Sequence, residues 1–310
     1  MPVELAAIGL QRDFVLERLE REFVIHRVWN APDKAAALAP VAERIRGVLS
    51  HGMAGLPTEV IRALPNLEIC VLNGVGLETT DLALARERGI VVTTAQVLYD
   101  DVADLAILLG LAACRRLIEA DRFVRSGRWQ HGPMASGHRF SSRRAGILGL
   151  GRIGTAVAKR LDGFGSMISY YDPQPKPDVP YPIASSALAL AADADILFLC
   201  AAGTHGGGHI VTAPILDALG PTGVLVNVAR GWLVDEPALV RALAEKRLGA
   251  AGLDVFDDEP HVPPALFALD NVVLTPHIAS NTEETRRAMG QNVLDNVLSW
   301  FGGQGALTPV

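Results

Sequence analysis

Residues 143–173 read RRAGILGLGRIGTAVAKRLDGFGSMISYYDP. A short apolar run, Arg144–Leu148, leads directly into Gly149, Gly151 and Gly154, a G-x-G-x-x-G triplet, and a helical pattern follows at once. Glycine at the first position permits a tight turn, at the second lets backbone approach a pyrophosphate, and at the third lets the helix pack close to the strand. The helix N-terminus then turns its free N–H groups toward phosphate. A second apolar run, Met167–Tyr171, ends at Asp172, eighteen residues after Gly154. A carboxylate there can accept hydrogen bonds from ribose hydroxyls. A plain strand-to-helix turn followed by a surface acid would need only the glycines. Strand, glycine loop, helix, strand and acid in this order point to a dinucleotide site.

Outward from this segment, short apolar runs alternate with helix-like stretches, the pattern of a parallel sheet covered by helices. The runs read as strands are Val3–Gly9, Gly47–Leu49, Leu67–Leu72, Ile90–Thr93, Arg144–Leu148, Met167–Tyr171, Ile196–Cys200, Val224–Asn227, Gly249–Leu253 and Val272–Leu274. Four precede an amphipathic stretch, Asp100 to Arg125, expected as one long helix, and six follow it. The last segment, Thr282 to Phe301, is helical in pattern, with Met289, Val293, Val297 and Trp300 on one side, and can pack back onto the first group. The fold class expected is α/β, with two Rossmann-like doubly wound parallel-sheet domains and a cleft between them. The first is discontinuous, residues 1–96 plus 282–310, and the second spans residues 97–281.

The 310 residues suit two such domains. Half the chain is hydrophobic (49%), 20% is charged and the mean hydropathy is +0.26, enough apolar material for packed cores and no sign of disorder. A net charge of −6 and scattered Lys and Arg give no nucleic-acid footprint. Cys70, Cys114 and Cys200 each sit in an apolar run, as reduced thiols of a cytoplasmic protein do. The N-terminus lacks a basic and apolar leader pattern, and no run of 18 apolar residues suggests a membrane span.

Beyond the glycine loop, three polar groups follow apolar runs: Arg230 after VLVNVA, Glu259 after GLDVFDD and His277 after NVVLTP. The C-terminal ends of strands are where ligands collect in a doubly wound sheet. The three are chemically complementary. A guanidinium can grip a carboxylate with two parallel hydrogen bonds, an imidazole can exchange a proton near neutral pH, and a carboxylate beside it favours the imidazolium. Spacing alone leaves each open to a plainer reading as a surface Arg, a turn acid and a satisfied histidine.

The run NVARGWLVDE (227–236), with GAAGLDVFDDEP and NVVLTPHIAS, resembles the D-isomer-specific 2-hydroxyacid dehydrogenases, particularly the glyoxylate, hydroxypyruvate and hydroxyphenylpyruvate reductases. NGVGLETTDLALARERGI and VLYDDVADLAILLGLAACRRL resemble the same subgroup, so the likeness spans nearly the whole chain. It implies reduction of a small 2-keto acid to the D-2-hydroxy acid with NAD(P)H, with 1–96 plus 282–310 as the substrate-binding domain and 97–281 as the dinucleotide-binding one. Arg230, Glu259 and His277 are then the catalytic set. Arg230 with the backbone of Val75 and Gly76 holds the substrate carboxylate, His277 gives the proton and Glu259 supports the imidazolium. The resemblance implies cofactor contacts from Gly149, Gly151, Arg152, Ile153, Gly154, Asp172, Ala229 and Asp254, with Asp254 on the nicotinamide carboxamide. It also implies a homodimer built on Asp100–Arg125 and the Trp129 region, and no metal.

The chain departs from the family pattern after Cys200. A Pro-Leu-Thr run is common there; here AAGTHGGGHI retains Thr204 but has no proline, and glycine replaces bulk. His205 and His209 in this stretch lack a Cys or acid at ligand spacing. At the end of the second strand, the hydroxyphenylpyruvate reductases often carry a Ser-Arg pair that welcomes a 2′-phosphate. Asp172-Pro173 stands there instead, so NAD is the cofactor expected in preference to NADP, with Arg152 and Lys176 as the cations able to compensate. Other activities on this frame are a redox-sensing corepressor and short phosphoglycerate, formate or phosphite dehydrogenases. Turnover of keto acids against formate and phosphite separates them.

Overall fold

The computed structural model describes residues 2–203 and 207–310. The chain divides into two compact units, Met1–Leu98 with Thr282–Val310, and Tyr99–Asn281.

The first unit carries β1 (Glu4–Ala7), β2 (Val24–Arg27), β3 (Ile45–His51), β4 (Ile69–Asn73) and β5 (Val91–Thr94), all parallel, in the order β2-β1-β3-β4-β5. β2 is absent from the strands expected from the sequence. It is the sheet's edge, its residues are only partly covered, and REFVIHRV shows no apolar run long enough to mark a buried strand. One face of the sheet is closed by Leu38, Leu56, Val60, Ile61 and Leu64 around Ala6, Val48 and Cys70. The other is closed by the helices Asp13–Leu19 and Glu283–Phe301, with Val15, Leu19, Val293, Leu294 and Val297 against Leu5, Leu49 and Val71. Thr282 caps the C-terminal helix, its side chain accepting from Thr285 N–H at 3.1 Å.

The second unit carries β6 (Arg144–Leu148), β7 (Met167–Tyr171), β8 (Ile196–Leu199), β9 (Val224–Asn227), β10 (Ala250–Leu253) and β11 (Val272–Leu274), parallel throughout, in the order β11-β10-β9-β8-β6-β7. Strands β8 and β10, and β9 up to Asn227, carry no polar side chain because helices cover both faces of such a sheet. The stretch expected as one helix is two, Tyr99–Cys114 and Leu117–Arg125, broken at Arg116, whose φ of 53° is left-handed. No Gly or Pro in ACRRL marks that break.

In each sheet the chain leaves one strand for its outer neighbour and then returns to the opposite side, between β1 and β3 in one unit and β6 and β8 in the other. Ligands bind at such switch points in doubly wound sheets. All three cysteines are buried and unpaired. Among the described residues, no helix is long and apolar enough to cross a membrane.

Candidate active site

The glycine loop lies at the switch point of the second unit. Gly149 has φ +89°, and a Cβ there would fall 2.4 Å from Cα of Ala201, just beyond β8. At Gly154 a Cβ would lie 2.2 Å from the carbonyl oxygen of Gly149, whereas at Gly151 it would meet nothing within 4 Å. Tight turn, open approach and close packing are therefore divided among the three glycines as a pyrophosphate site requires. The helix Arg152–Gly163 starts at this opening, presenting Arg152 and Ile153 in its first turn. Asp172, at the end of β7, accepts from Leu150 N–H at 3.0 Å on one oxygen and from Gln174 N–H at 2.9 Å on the other. Each oxygen has a second acceptor site, so the carboxylate is fixed beside the loop with capacity for ribose hydroxyls. These features fit a nicotinamide dinucleotide.

Arg152 is drawn toward Tyr99. Its Nη1 donates to the Tyr99 hydroxyl at 2.5 Å, and its Cζ lies 5.3 Å from the ring centroid. Nothing in the sequence pattern singled out Tyr99.

The three polar groups proposed for chemistry follow β9, β10 and β11, which are neighbours in the sheet. Adjacent parallel strands run about 4.8 Å apart, so groups at their C-terminal ends are brought side by side. At the end of β9, buried Asn227 shapes the backbone: its Oδ1 accepts from Ala229 N–H and its Nδ2 donates to the Arg230 carbonyl, both at 3.0 Å. Arg230 is thus presented on extended backbone, φ −144° and ψ 146°, with Nη1 also donating to the Ala229 carbonyl at 2.8 Å. Gly231 follows because a Cβ there would sit 1.8 Å from the carbonyl carbon of Phe256, on the turn that leads to Glu259. An Asn closing an apolar strand, VLVN, was the available sign of this turn.

Glu259 and His277 form the pair. Glu259 Oε1 accepts from Phe256 N–H at 3.0 Å, and its Oε2 lies 2.6 Å from His277 Nδ1. Since an ionised carboxylate only accepts, Nδ1 carries the proton and Nε2 is the nitrogen left to exchange one with a ligand. Burial alone would raise the Glu259 pKa. The hydrogen bonds from His277 and Phe256, with the charges of His277 and Arg230, outweigh it and hold the carboxyl below its usual range. The Glu259 hydrogen bond in turn raises the His277 pKa, against partial desolvation and the repulsion of Arg230.

His277 sits at φ +52°, a conformation that needs support in a residue with a side chain. Asp254 supplies it. Fully buried, its carboxylate accepts from Thr275 Oγ1 at 2.6 Å, Ile278 N–H at 2.9 Å and Ala279 N–H at 2.9 Å, while its carbonyl accepts from His277 N–H at 2.9 Å. These four bonds tie Asp254 to the turn that carries His277, while its own N–H donates to the Asn227 carbonyl at 3.0 Å. Burial pushes its pKa up, opposed by those same donors.

Val75 and Gly76 lie in the first unit, after β4, in a loop opened by Gly74 at φ +145°. Gly52 packs against this loop; a Cβ on it would be 3.4 Å from Gly76 Cα. Thr204 and His205 lie outside the described residues. Among those residues no cluster of His, Cys, Asp and Glu could hold a metal ion.

Residues 107–279 match the family model of the D-isomer specific 2-hydroxyacid dehydrogenase NAD-binding domain. The chain belongs to the D-isomer specific 2-hydroxyacid dehydrogenases. A glyoxylate/hydroxypyruvate reductase of Arabidopsis thaliana is 48% identical to this dehydrogenase over 298 residues, 96% of this chain and 95% of that protein. A hydroxyphenylpyruvate reductase of Plectranthus scutellarioides is 47% identical over the same shares. Among solved structures, the NADPH-dependent glyoxylate/hydroxypyruvate reductase of Sinorhizobium meliloti, in complex with NADP and malonate, matches with a TM-score of 0.92 and 39% identity, covering 100% of this chain and 97% of that one.

Proposed function

We propose that this dehydrogenase reduces a small 2-keto acid, of the glyoxylate and hydroxypyruvate kind, to its D-2-hydroxy acid. The observation that carries the reading is the 2.6 Å His277–Glu259 pair beside Arg230, on the same sheet edge as a complete dinucleotide loop. The likeness to named reductases at 47–48% identity supports the substrate class.

Bound nicotinamide dinucleotide supplies hydride; Gly149, Gly151, Arg152, Ile153, Gly154 and Asp172 would hold it, with Ala229 and the Asp254 turn toward its reactive end. The chain's own residues do the rest. Arg230 grips the substrate carboxylate in a planar fork, and the backbone of Val75 and Gly76 is assigned its remaining acceptor sites. Protonated His277 gives the Nε2 proton to the keto oxygen as that oxygen gains charge, and Glu259 stabilises the imidazolium until then. Arg230 also polarises the keto oxygen, and two cationic groups aimed at the oxygen that becomes negative are the arrangement that contributes most to such a step. In this reading Tyr99–Asn281 is the dinucleotide-binding domain, and Met1–Leu98 with Thr282–Val310 the substrate-binding domain. A homodimer is proposed through the helices Tyr99–Cys114 and Leu117–Arg125 and the Trp129 region, where Leu108, Leu117, Val124 and Trp129 are exposed.

The test is a steady-state panel of glyoxylate, hydroxypyruvate, pyruvate, phenylpyruvate and 2-ketogluconate, with chiral analysis of the products. Turnover of at least one of them is expected, with the D enantiomer from every substrate other than glyoxylate, whose product, glycolate, is achiral. The L enantiomer, or turnover of formate or phosphite alone, would overturn the reading.

For the cofactor we propose a preference for NADH. Asp172 stands where a 2′-phosphate would come, and two unit charges 4 Å apart at an effective dielectric of 20 repel by about 4 kcal/mol, less after solvation and salt screening. Arg152, a cation that could compensate, is engaged by Tyr99. The expected kcat/KM with NADH exceeds that with NADPH by about tenfold or more, since 1.4 kcal/mol is tenfold. Asp172→Ser should narrow the gap. Equal values in the wild type would refute the preference.

A further inference from the structure

With Thr204 in place of the threonine in the family's Pro-Leu-Thr run, Gly203 occupies the position of the leucine. A Cβ at residue 203 would fall 2.3 Å from Cδ2 of Leu233, so Leu233 fills the space that a side chain on 203 would need. Beside Leu233 on the turn after β9 stands Trp232.

Trp232 is partly buried, packed against the apolar core of its unit. The Arg230 Cζ stands over its ring, 5.9 Å from the centroid. The turn beneath is clamped from the other side. The Trp232 carbonyl accepts from His209 Nδ1 at 2.9 Å, and the Leu233 carbonyl accepts from Ile210 and Val211 N–H, both at 2.8 Å. The glycine-rich segment therefore ends by pinning the backbone of the residue that faces the guanidinium.

We infer that Trp232 is a positioning residue for Arg230, holding the plane and reach of the fork offered to the substrate carboxylate. This rests on the proposed role of Arg230 in carboxylate binding. An aromatic ring attracts a guanidinium through its face, whereas a carboxylate binds the N–H edges in the guanidinium plane, so one cation can use both at once. A long side chain already held against a ring loses less rotamer freedom when the substrate arrives. The effect belongs to binding and should appear in KM before kcat.

The test uses the full chain with NADH and glyoxylate, comparing Trp232→Phe, Trp232→Leu and Trp232→Ala. Phenylalanine keeps a ring face, leucine keeps apolar bulk without one, and alanine keeps neither. Because such contacts are worth about 0.5–2 kcal/mol, KM should rise about 2- to 30-fold in the leucine and alanine variants. The kcat should change far less, and the phenylalanine variant should stay near wild type. NADH affinity, read by fluorescence titration, should not move in any of them. A leucine variant with wild-type KM, or a phenylalanine variant as impaired as leucine, would overturn the proposal while leaving keto-acid reduction intact. An alanine variant that fails to bind NADH has lost its fold, and the leucine and phenylalanine pair then decides. A wild type that turns over no 2-keto acid, on the panel above, would overturn the functional reading and this inference with it.

Discussion

Replacing His277 with alanine is expected to lower kcat for keto-acid reduction by about 10²- to 10⁴-fold, the usual contribution of a positioned general acid. NADH binding should be unaffected, because the glycine loop and Asp172 are held by contacts that do not involve His277. The pH profile sharpens the test. Reduction needs the protonated imidazole, so kcat/KM should be full at low pH and fall as pH rises through the His277 pKa. The Glu259 hydrogen bond lifts that pKa above the ordinary imidazole value. Glu259→Gln removes the charged partner, so the alkaline limb should move to lower pH. Oxidation of the hydroxy acid needs the neutral imidazole and should show the opposite limb. The pair also links to stability. The His277 contribution is present below its ordinary pKa and lost as pH rises through the raised one; the Glu259 contribution is present above its ordinary pKa and lost as pH falls through the lowered one. A His277→Ala enzyme with near-normal kcat would remove His277 from the mechanism.

Arg230→Lys should cost about 10- to 100-fold or more in kcat/KM for keto acids, although it conserves charge. A hydrogen bond to a charged group contributes about 1.5–3 kcal/mol, and an ammonium cannot reproduce the two parallel bonds of the fork. Lysine also lacks the guanidinium whose Cζ stands over the Trp232 ring. The loss should appear with every carboxylate-bearing substrate and spare NADH affinity. Wild-type kinetics in this variant would show that no two-pronged carboxylate contact is made at this position.

The dinucleotide loop was legible because its requirements are local. Turn, open approach and close packing are conditions on Gly149, Gly151 and Gly154 themselves, and the acid that follows is placed by one strand and one helix of standard length. The buried strands were legible for a similar reason, since a strand covered on both faces must be apolar throughout. β2 was not, because an edge strand with partly covered residues has no such obligation. Nor was the break at Arg116, where a left-handed residue joins two helices without glycine or proline to announce it.

By itself the sequence determined the α/β class, the glycine loop with its acid, and which residue types close the strands at Arg230, Glu259 and His277. Only the tertiary structure decided how those residues are used. Asp254, Asp257, Asp258 and Glu259 all lie within six positions, yet among the described contacts only Glu259 meets the His277 ring, while Asp254 turns inward to hold the backbone of its turn. That division depends on β9, β10 and β11 being adjacent and parallel, which places together side chains that lie tens of residues apart in the chain. The seating of Arg230 over Trp232 is of the same kind, because the turn beneath it is fixed by hydrogen bonds from residues 209–211. Backbone conformation follows from neighbours in sequence; the pairing of charges follows from neighbours in space, which the order of strands in the sheet selects.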